Sequence, residues 1–552
     1  MTSLDRPRLS LVPGTAALAA ERALRRPIPA DIEVSACRHV IMQAAADADR
    51  LAVLDPRGDY TYGALIDRIG HIRSLLLASG CGPGARVVVS GPRSGDLIAS
   101  FLAIESIGGV YVPVGIDWPA RRIANVLARV RSTCVLAMSD PSSDLARAAE
   151  RTGTALRIVS ARSSQLSFPW SPHPGAGHDA AYIIHTSGST GQPKGTIVER
   201  RGMLNHLWGV IRDVRLSGND VVAFTAPPVH VIGIWQMVAA LMVGGSIAVV
   251  EEKALHFPRA LVDVLRRTGT SVVELVPTVL SWIVQQVERF DTDDVLPSLR
   301  CMISTGESLR PELAARIRAR LPGAELVNAY GATELSDDVA FHTVSRADCD
   351  ESRIPIGTPI ANAVLYLLVA EGKKWRAAEH GEAGELWVGG LPVSAGYFDD
   401  PDTTRANFFL DEFDPHSPTR RLYRTGDIAC FREGVAYCMG RADRQVKVGG
   451  TRIELGEIEA VLLRHPQVEH CAVTATEKNG RTELSLYYVA GKEASTEELK
   501  RFLRDSLPTL MIPRLWVRLD HMPRNGSGKT DYHGLSNAGP SDLQERLSSL
   551  HP

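Results

Sequence analysis

Between residues 221 and 331 the chain alternates short apolar runs with amphipathic stretches. VVAFTAPP, GSIAVVEE, SVVELVPT, RCMISTGE and AELVNAYG read as strands; WQMVAALMVGG, ALVDVLRRTG, TVLSWIVQQVERF and PELAARIRARL read as helices. Alternation at this spacing predicts a parallel sheet with crossover helices. Ligands of such sheets sit beyond the carboxyl ends of the strands. Those ends are Pro227–Gly233, Pro277, Gly306 and Tyr330–Glu334, and they are predicted to converge.

Residues 60–120 repeat the alternation, with YTYGALIDRIGHIRSLLLASG and DLIASFLAIESIGG as helices around the strand ARVVVSGP. The following YVPVGIDWPARRIANVL is given packing roles. From about Ile354 to Phe431 the runs shorten and glycine turns appear, which predicts a β subdomain, a distorted barrel. From Gly440 onward GEIEAVLLRHP, HCAVTATEK, ELSLYYVAG, STEELKRFLRDSLP and RLWVRLD give helix, two strands, helix and strand, a compact α+β unit. The first 27 residues read as a partly helical N-terminal extension, not a secretory signal, which needs a longer apolar core.

One loop carries a chemical signature. In AYIIHTSGSTGQPKG (181–195) an apolar strand empties into Thr186, Ser187, Gly188, Ser189, Thr190 and Gly191, followed by Lys194. Glycines let the backbone approach a bulky anion, successive N–H groups form a nest, and a lysine adds a point charge. The fitting guest is a polyphosphate. The usual ATPase loop needs Gly-Lys-Ser/Thr after four residues, which is absent here, and Ser/Gly/Thr clusters are commonly mere linkers. In NAYGATELSD (328–337), Tyr330 can stack on a purine and Glu334 offers a hard oxygen for Mg²⁺. In YRTGDIACF (423–431), Asp427 can accept hydrogen bonds from ribose hydroxyls. GSGKT in MPRNGSGKTDY (522–532) is not a phosphate loop, because Pro523 stands where a glycine is needed.

Together these stretches resemble the adenylate-forming superfamily, which includes aryl- and acyl-CoA ligases and firefly luciferase. The resemblance runs from about Tyr60 to Asp531 and is closest to the adenylation domains of nonribosomal peptide synthetases. It implies an α/β fold, with a large N-terminal domain of parallel-type sheets and helices, a β subdomain, and a small mobile C-terminal α+β domain. Residues 1–442 would bind ATP and the acid; residues 443–552 would carry the catalytic lysine. By resemblance Thr186 to Gly191 and Lys194 hold phosphates, Asn328 and Tyr330 flank adenine, and Thr333 touches phosphate. Glu334 holds magnesium, Asp427 holds the ribose, Arg441 contacts ribose or α-phosphate, Asp443 is the hinge, and Lys529 is the catalytic lysine bridging carboxylate and α-phosphate. Gly449 departs from the arginine common there in peptide-synthetase domains.

The acid pocket departs further. In APPVHVIGIWQM (226–237) the family pattern aligns Trp235 and places Val231 where α-amino acid enzymes carry an aspartate for the α-ammonium. A valine cannot satisfy an ammonium. His230 falls at the aromatic position, as in aryl-acid and CoA ligases. The remaining pocket positions are Ile232, Glu274, Ile303, Thr305, Ala329, Asp337 and Asp338. Three acids in an apolar pocket predict a cation away from the carboxylate: a β- or ω-amino acid, with an aryl acid as the alternative.

The net charge of −2 gives no nucleic-acid or anionic-membrane surface, and no apolar run approaches a membrane span. Eight scattered cysteines without a CxxC pattern favour reduced thiols in the cytoplasm over zinc or disulfides. No Gly-x-(Asp/His)-Ser attachment site follows Lys529. The expected partner is therefore a carrier protein in trans, with CoA or an amine as alternative acceptors.

Overall fold

The computed structural model describes residues 6–27, 32–159, 170–186, 193–290, 295–442, 444–478, 481–491, 494–524 and 530–537. Two large sheets form the body. One orders its nine strands as Thr358–Pro359, Asp337–Thr343, Glu325–Ala332, Cys301–Ser304, Val272–Leu275, Val221–Phe224, Ser246–Val249, Leu51–Leu54 and Tyr60–Thr61. From Glu325–Ala332 to Leu51–Leu54 every pairing is parallel, as the alternation predicts. The second sheet runs from Gly396–Tyr397 through Lys194–Glu199 and Ala180–Thr186 to Val110–Pro113, Arg86–Ser90, Cys134–Ala137 and Ala155–Ile158.

Helices pack between these sheets. Ile232–Met242 is buried on every face from Gly233 to Met242, and Gly95–Ser106 is buried apart from Asp96. A helix apolar all round belongs in a core. One cluster joins Val87 and Val89 of one sheet to Val222 and Ile247 of the other through Phe101, Trp235 and Met237.

The β subdomain is an antiparallel sheet of Leu24–Arg25, Ala363–Glu371, Gly384–Gly390, Arg421–Arg432 and Phe408–Leu410, with Lys374–Ala377 and Val435–Arg441 paired at its side. Its pairing among the described residues is an open path, not the closed ring of a barrel. The N-terminal extension supplies its edge strand, and the helix Thr15–Arg22 buries Ala19 against Val364, Tyr366 and Trp387.

The smaller C-terminal domain opens with a hairpin, Gln445–Val448 and Thr451–Glu454. The helix Leu455–Leu462 follows, burying Leu455, Ile458, Val461 and Leu462 at helical spacing. The strands Val468–Lys478 and Arg481–Ala490, the helix Thr496–Arg504 and the strand Leu515–Arg518 complete it. No described helix is long and apolar enough to cross a membrane.

Candidate active site

The carboxyl ends of the parallel strands do converge. They open into a cleft of about 1350 Å³ walled by Pro227–Ile232, Thr278, Thr305–Glu307 and Gly331–Thr333. The opposite wall is Val114–Trp118, Arg122 and His185–Thr186. The C-terminal hairpin, from Lys447 to Arg452, closes the side.

One corner gathers polar groups from three strands. The Tyr330 hydroxyl donates to Asp427. Arg441, directly across the sheet from Asp427, donates to its other oxygen at 2.7 Å and to the Thr425 carbonyl at 3.1 Å. Asn328 donates to the Pro355 carbonyl at 2.7 Å. Thr186 and Lys194 pair across the last rung of their strands, so the two ends of the 187–192 loop are clamped together.

Glu334 is 2% exposed and accepts from the Tyr397 hydroxyl at 2.8 Å and from Arg452 at 3.0 Å. Burial alone would raise its pKa, but the Arg452 charge and the Tyr397 hydroxyl outweigh it and hold the carboxyl below the usual range. Lys194 lies 3.5 Å from Glu454 and 5.7 Å from the Tyr397 ring centre.

A second group is wholly acidic. Glu274, Asp337 and Asp338 are each 2–3% exposed. The Trp235 indole N–H donates to Glu274, and Thr305 donates to Asp338 at 3.0 Å. Glu274 Oε1, Asp337 Oδ2 and Asp338 Oδ2 receive no N–H or hydroxyl donor among the described residues, and the Glu274 and Asp338 carboxyls interact with each other. Burial and then mutual repulsion push Glu274 and Asp337 well above the carboxylate range; burial also raises Asp338. His206 is 3.9 Å from Asp337, but burial lowers it to about 3, so it is neutral and supplies no countercharge.

The backbone is bent to place this group. Ser336 has φ 63° and Asp337 φ 125°, conformations that side chains rarely adopt. A Cβ on Gly331 would meet the Asp337 carbonyl oxygen at 2.1 Å and the Asp338 Cα at 2.3 Å, so only glycine fits the bulge there.

The chain matches the AMP-binding enzyme family over residues 41–398 and the AMP-binding enzyme C-terminal domain over residues 457–529. It belongs to the AMP-binding enzymes. It is 30% identical to tyrocidine synthase 1 of Brevibacillus parabrevis over 92% of its own length and 45% of that protein. It is 28% identical to zwittermicin A synthase ZmaJ of Bacillus cereus over 92% of itself and 95% of that chain. Its fold matches holo-PA1221, a nonribosomal peptide synthetase protein containing adenylation and PCP domains bound to a vinylsulfonamide inhibitor. That match has a TM-score of 0.78 and 26% identity, covering 92% of this chain and 84% of that one. The chain spans less than half the length of the first multidomain synthetases it matches. It is an AMP-forming ligase that uses ATP to activate a carboxylic acid.

In this AMP-binding enzyme His230, Val231, Ile232, Thr305, Asp337 and Asp338 stand on the cleft wall. Trp235, Glu274, Ile303 and Ala329 lie behind it; Trp235, Ile303 and Ala329 pack into the central core, with the indole turned onto Glu274. Ser187, Gly188, Ser189, Thr190, Gly191, Asp443 and Lys529 lie outside the described residues. His230 is drawn down to about 4 by burial and pairs with Thr451 at 3.3 Å.

Sequence reasoning missed the hairpin and what it carries. The signal was present: QVKV and TRIE flank Gly449-Gly450, both with positive φ (55° and 77°), a two-residue turn that Gly-Gly favours. Arg122, read as packing, is on the cleft wall, sits 4.7 Å over the Trp118 ring and pairs with Glu457 at 3.2 Å.

Proposed function

We propose that this ligase activates a carboxylic acid carrying a cationic nitrogen away from its carboxylate, such as a β- or ω-amino acid, including a basic one of the β-lysine kind. The observation that carries the reading is the set of three buried carboxylate oxygens beside the cleft that receive no N–H or hydroxyl donor among the described residues. Each such oxygen costs free energy unless something donates to it. An ammonium supplies both the charge and three N–H donors. Val231 supports the same reading, since it leaves an α-ammonium unpaired.

The substrate carboxylate would then face Lys529 and attack the α-phosphorus in line, with pyrophosphate leaving. Tyr330, Asn328, Asp427 and Arg441 would hold adenine and ribose, and Thr186 to Thr190, Gly191, Lys194 and Thr333 the phosphates. Glu334 fits a magnesium ion: it is a buried hard-oxygen ligand that already draws a cation, Arg452. Among the described residues no three His, Cys, Asp or Glu side chains form a metal site. Glu334 would hold the ion, and the chemistry the ion would supply there is neutralisation of phosphate charge.

Residues 443–552 would move as a unit about Asp443. Arg524 and Thr530 pair with each other and neither lines the cleft, which supports a turn of this unit during the reaction. The adenylate would pass to the pantetheine thiol of a carrier protein in trans. The eight free thiols support a cytoplasmic setting.

The test is ATP–pyrophosphate exchange over a panel of acids. β- and ω-amino acids should exceed α-amino and aryl acids, and Glu274→Gln should raise KM for the cationic acid with little change in KM for ATP. Best activity with neutral aryl acids, unaffected by Glu274→Gln, would overturn the reading.

A further inference from the structure

Two thiols meet at the end of the second sheet away from the cleft. Gly91 and Val114 follow the carboxyl ends of the strands Arg86–Ser90 and Val110–Pro113 and line the cleft, whereas Cys134 opens the strand Cys134–Ala137 at its amino end. Cys134 is held on both sides, paired with Val87 and with Ala155. Cys81 lies just past the helix Tyr62–Ala78. Gly80 takes a left-handed φ of 76° there, and the Cys81 N–H donates back to the Leu76 carbonyl at 3.0 Å. That cap folds the Cys81 side chain onto the core. The two sulfurs stand 3.4 Å apart, with Cys81 4% exposed and Cys134 fully buried. Other thiols find different partners: Cys349, Cys438 and Cys471 reach carbonyls, and Cys430 reaches the Met439 sulfur.

A buried cysteine is commonly a small apolar filler, and both of these pack into the central core. Their surroundings also divide two chemical roles between them. Arg157, on the neighbouring strand Ala155–Ile158, donates to the Ser79 hydroxyl at 3.0 Å and its charge bears on both sulfurs. The hydrogen bond with Cys134, joined by the Arg157 charge, holds the Cys81 thiol below its ordinary range against burial; the same hydrogen bond and burial push Cys134 up. A thiolate is the nucleophile, so Cys81 attacks and Cys134 resolves. We propose that Cys81 and Cys134 form a reversible oxidation site, which takes a hydroperoxide as oxidant and closes to a disulfide. The Cys81 sulfur attacks a peroxide oxygen and the O–O bond breaks. Cys81 becomes a sulfenic acid, and the released hydroxide or alkoxide takes up the thiol proton. The Cys134 sulfur then attacks the sulfenic sulfur, and its proton leaves with the hydroxyl group as water. Two thiols together lose two electrons, and the peroxide gains them. The new bond joins residues 53 apart in the chain and clips the end of a helix to a strand, and neither cysteine lines the cleft. It should therefore stiffen this part of the molecule and leave adenylation unchanged.

The test treats the full chain with hydrogen peroxide. Free thiols counted in denaturant should fall by two from eight, and a peptide map without reductant should show a new link from Cys81 to Cys134. Dithiothreitol should reverse both. The oxidised chain should melt about 5 °C higher, with ATP–pyrophosphate exchange unchanged. With dimedone present, Cys134→Ala should trap a sulfenic acid on Cys81, whereas Cys81→Ala should leave Cys134 unlabelled. A map without the Cys81–Cys134 link, links made mainly by other cysteines, or oxidation of Cys81 straight through to the sulfinic acid would overturn the proposal. Dimedone on Cys134 in Cys81→Ala would overturn the division of roles. The map of the unaltered chain decides the site even if a variant fails to fold.

Discussion

Asp338→Asn isolates the acidic group and should move activity and stability in opposite directions. Asp338 is on the cleft wall, 3% exposed; Thr305 donates to one oxygen, and the Glu274 carboxyl and the Lys447 ammonium are its other polar neighbours. Removing one carboxylate from a buried ammonium costs about 2–5 kcal/mol. Two carboxylates remain nearby, so the lower end applies: about 2 kcal/mol, or about 30-fold in kcat/KM for the cationic acid. In the free enzyme the same change relieves repulsion among like charges and should raise the melting midpoint by about 1–2 °C. The pH dependence has a definite sign. These acids titrate higher in the folded chain than their ordinary 3.8 or 4.5, so the folded state binds the extra protons. Stability of the free enzyme therefore falls as pH rises above the ordinary values toward the raised ones, and Asp338→Asn should flatten that fall. Exchange kinetics and thermal melts at several pH values read both effects. A variant with unchanged kcat/KM for the cationic acid, or one that melts several degrees lower, would refute the reasoning.

Lys529→Ala should lower adenylate formation about a hundredfold or more while ATP binding persists, measured by exchange and by nucleotide titration. Asp443→Pro, which fixes φ at the hinge, should spare one half-reaction and damage the other when the two are assayed separately; equal losses would count against a hinge there. Gly331→Ala should destabilise the chain by about 2 kcal/mol or more, since its Cβ has no room against Asp337 and Asp338, and a melt reads the loss. His230, drawn down to about 4, is neutral at working pH, so His230→Asn should leave the shape of the pH–rate profile unchanged between pH 5 and 8.

The parallel sheet was legible because periodicity and strand length are local properties. Val221–Phe224, Val272–Leu275 and Cys301–Ser304 fall inside the runs read from the sequence, and Glu325–Ala332 passes the end of its run by one residue. The barrel was not legible: Ala363–Glu371 and Gly384–Gly390 announce strands, but whether their sheet closes depends on register between distant segments. The edge strand Leu24–Arg25 was invisible, being two residues long and defined only by its partner. Motif spacing brought Thr305, Asp337 and Asp338 to one wall. It could not tell that Glu274 stands behind that wall with its carboxylate held by Trp235, because depth along a strand end is set by the packing of the helix opposite.

The acidic group reads differently when set beside other buried carboxylates of the same chain. Both oxygens of Glu199 receive Arg421 at 2.7 Å, and one also receives Arg201. Asp220 accepts from Arg300 and Ser271 at 2.7 Å and from the Ser217 N–H at 2.8 Å. Both serve the fold, and both are satisfied within it, as buried charge requires. Glu274, Asp337 and Asp338 each leave one oxygen without an N–H or hydroxyl donor, as the isolated Asp411 also does, but only here are three such acids gathered beside the cleft among the described residues, on a chain bent through two unfavourable φ values. Backbone strain and unmet acceptors both lower stability, so their joint presence points to a compensation outside the free chain. Arginine would have closed the group permanently, as it does at Glu199. Leaving it open beside the cleft is the arrangement expected where the missing donor arrives with the substrate.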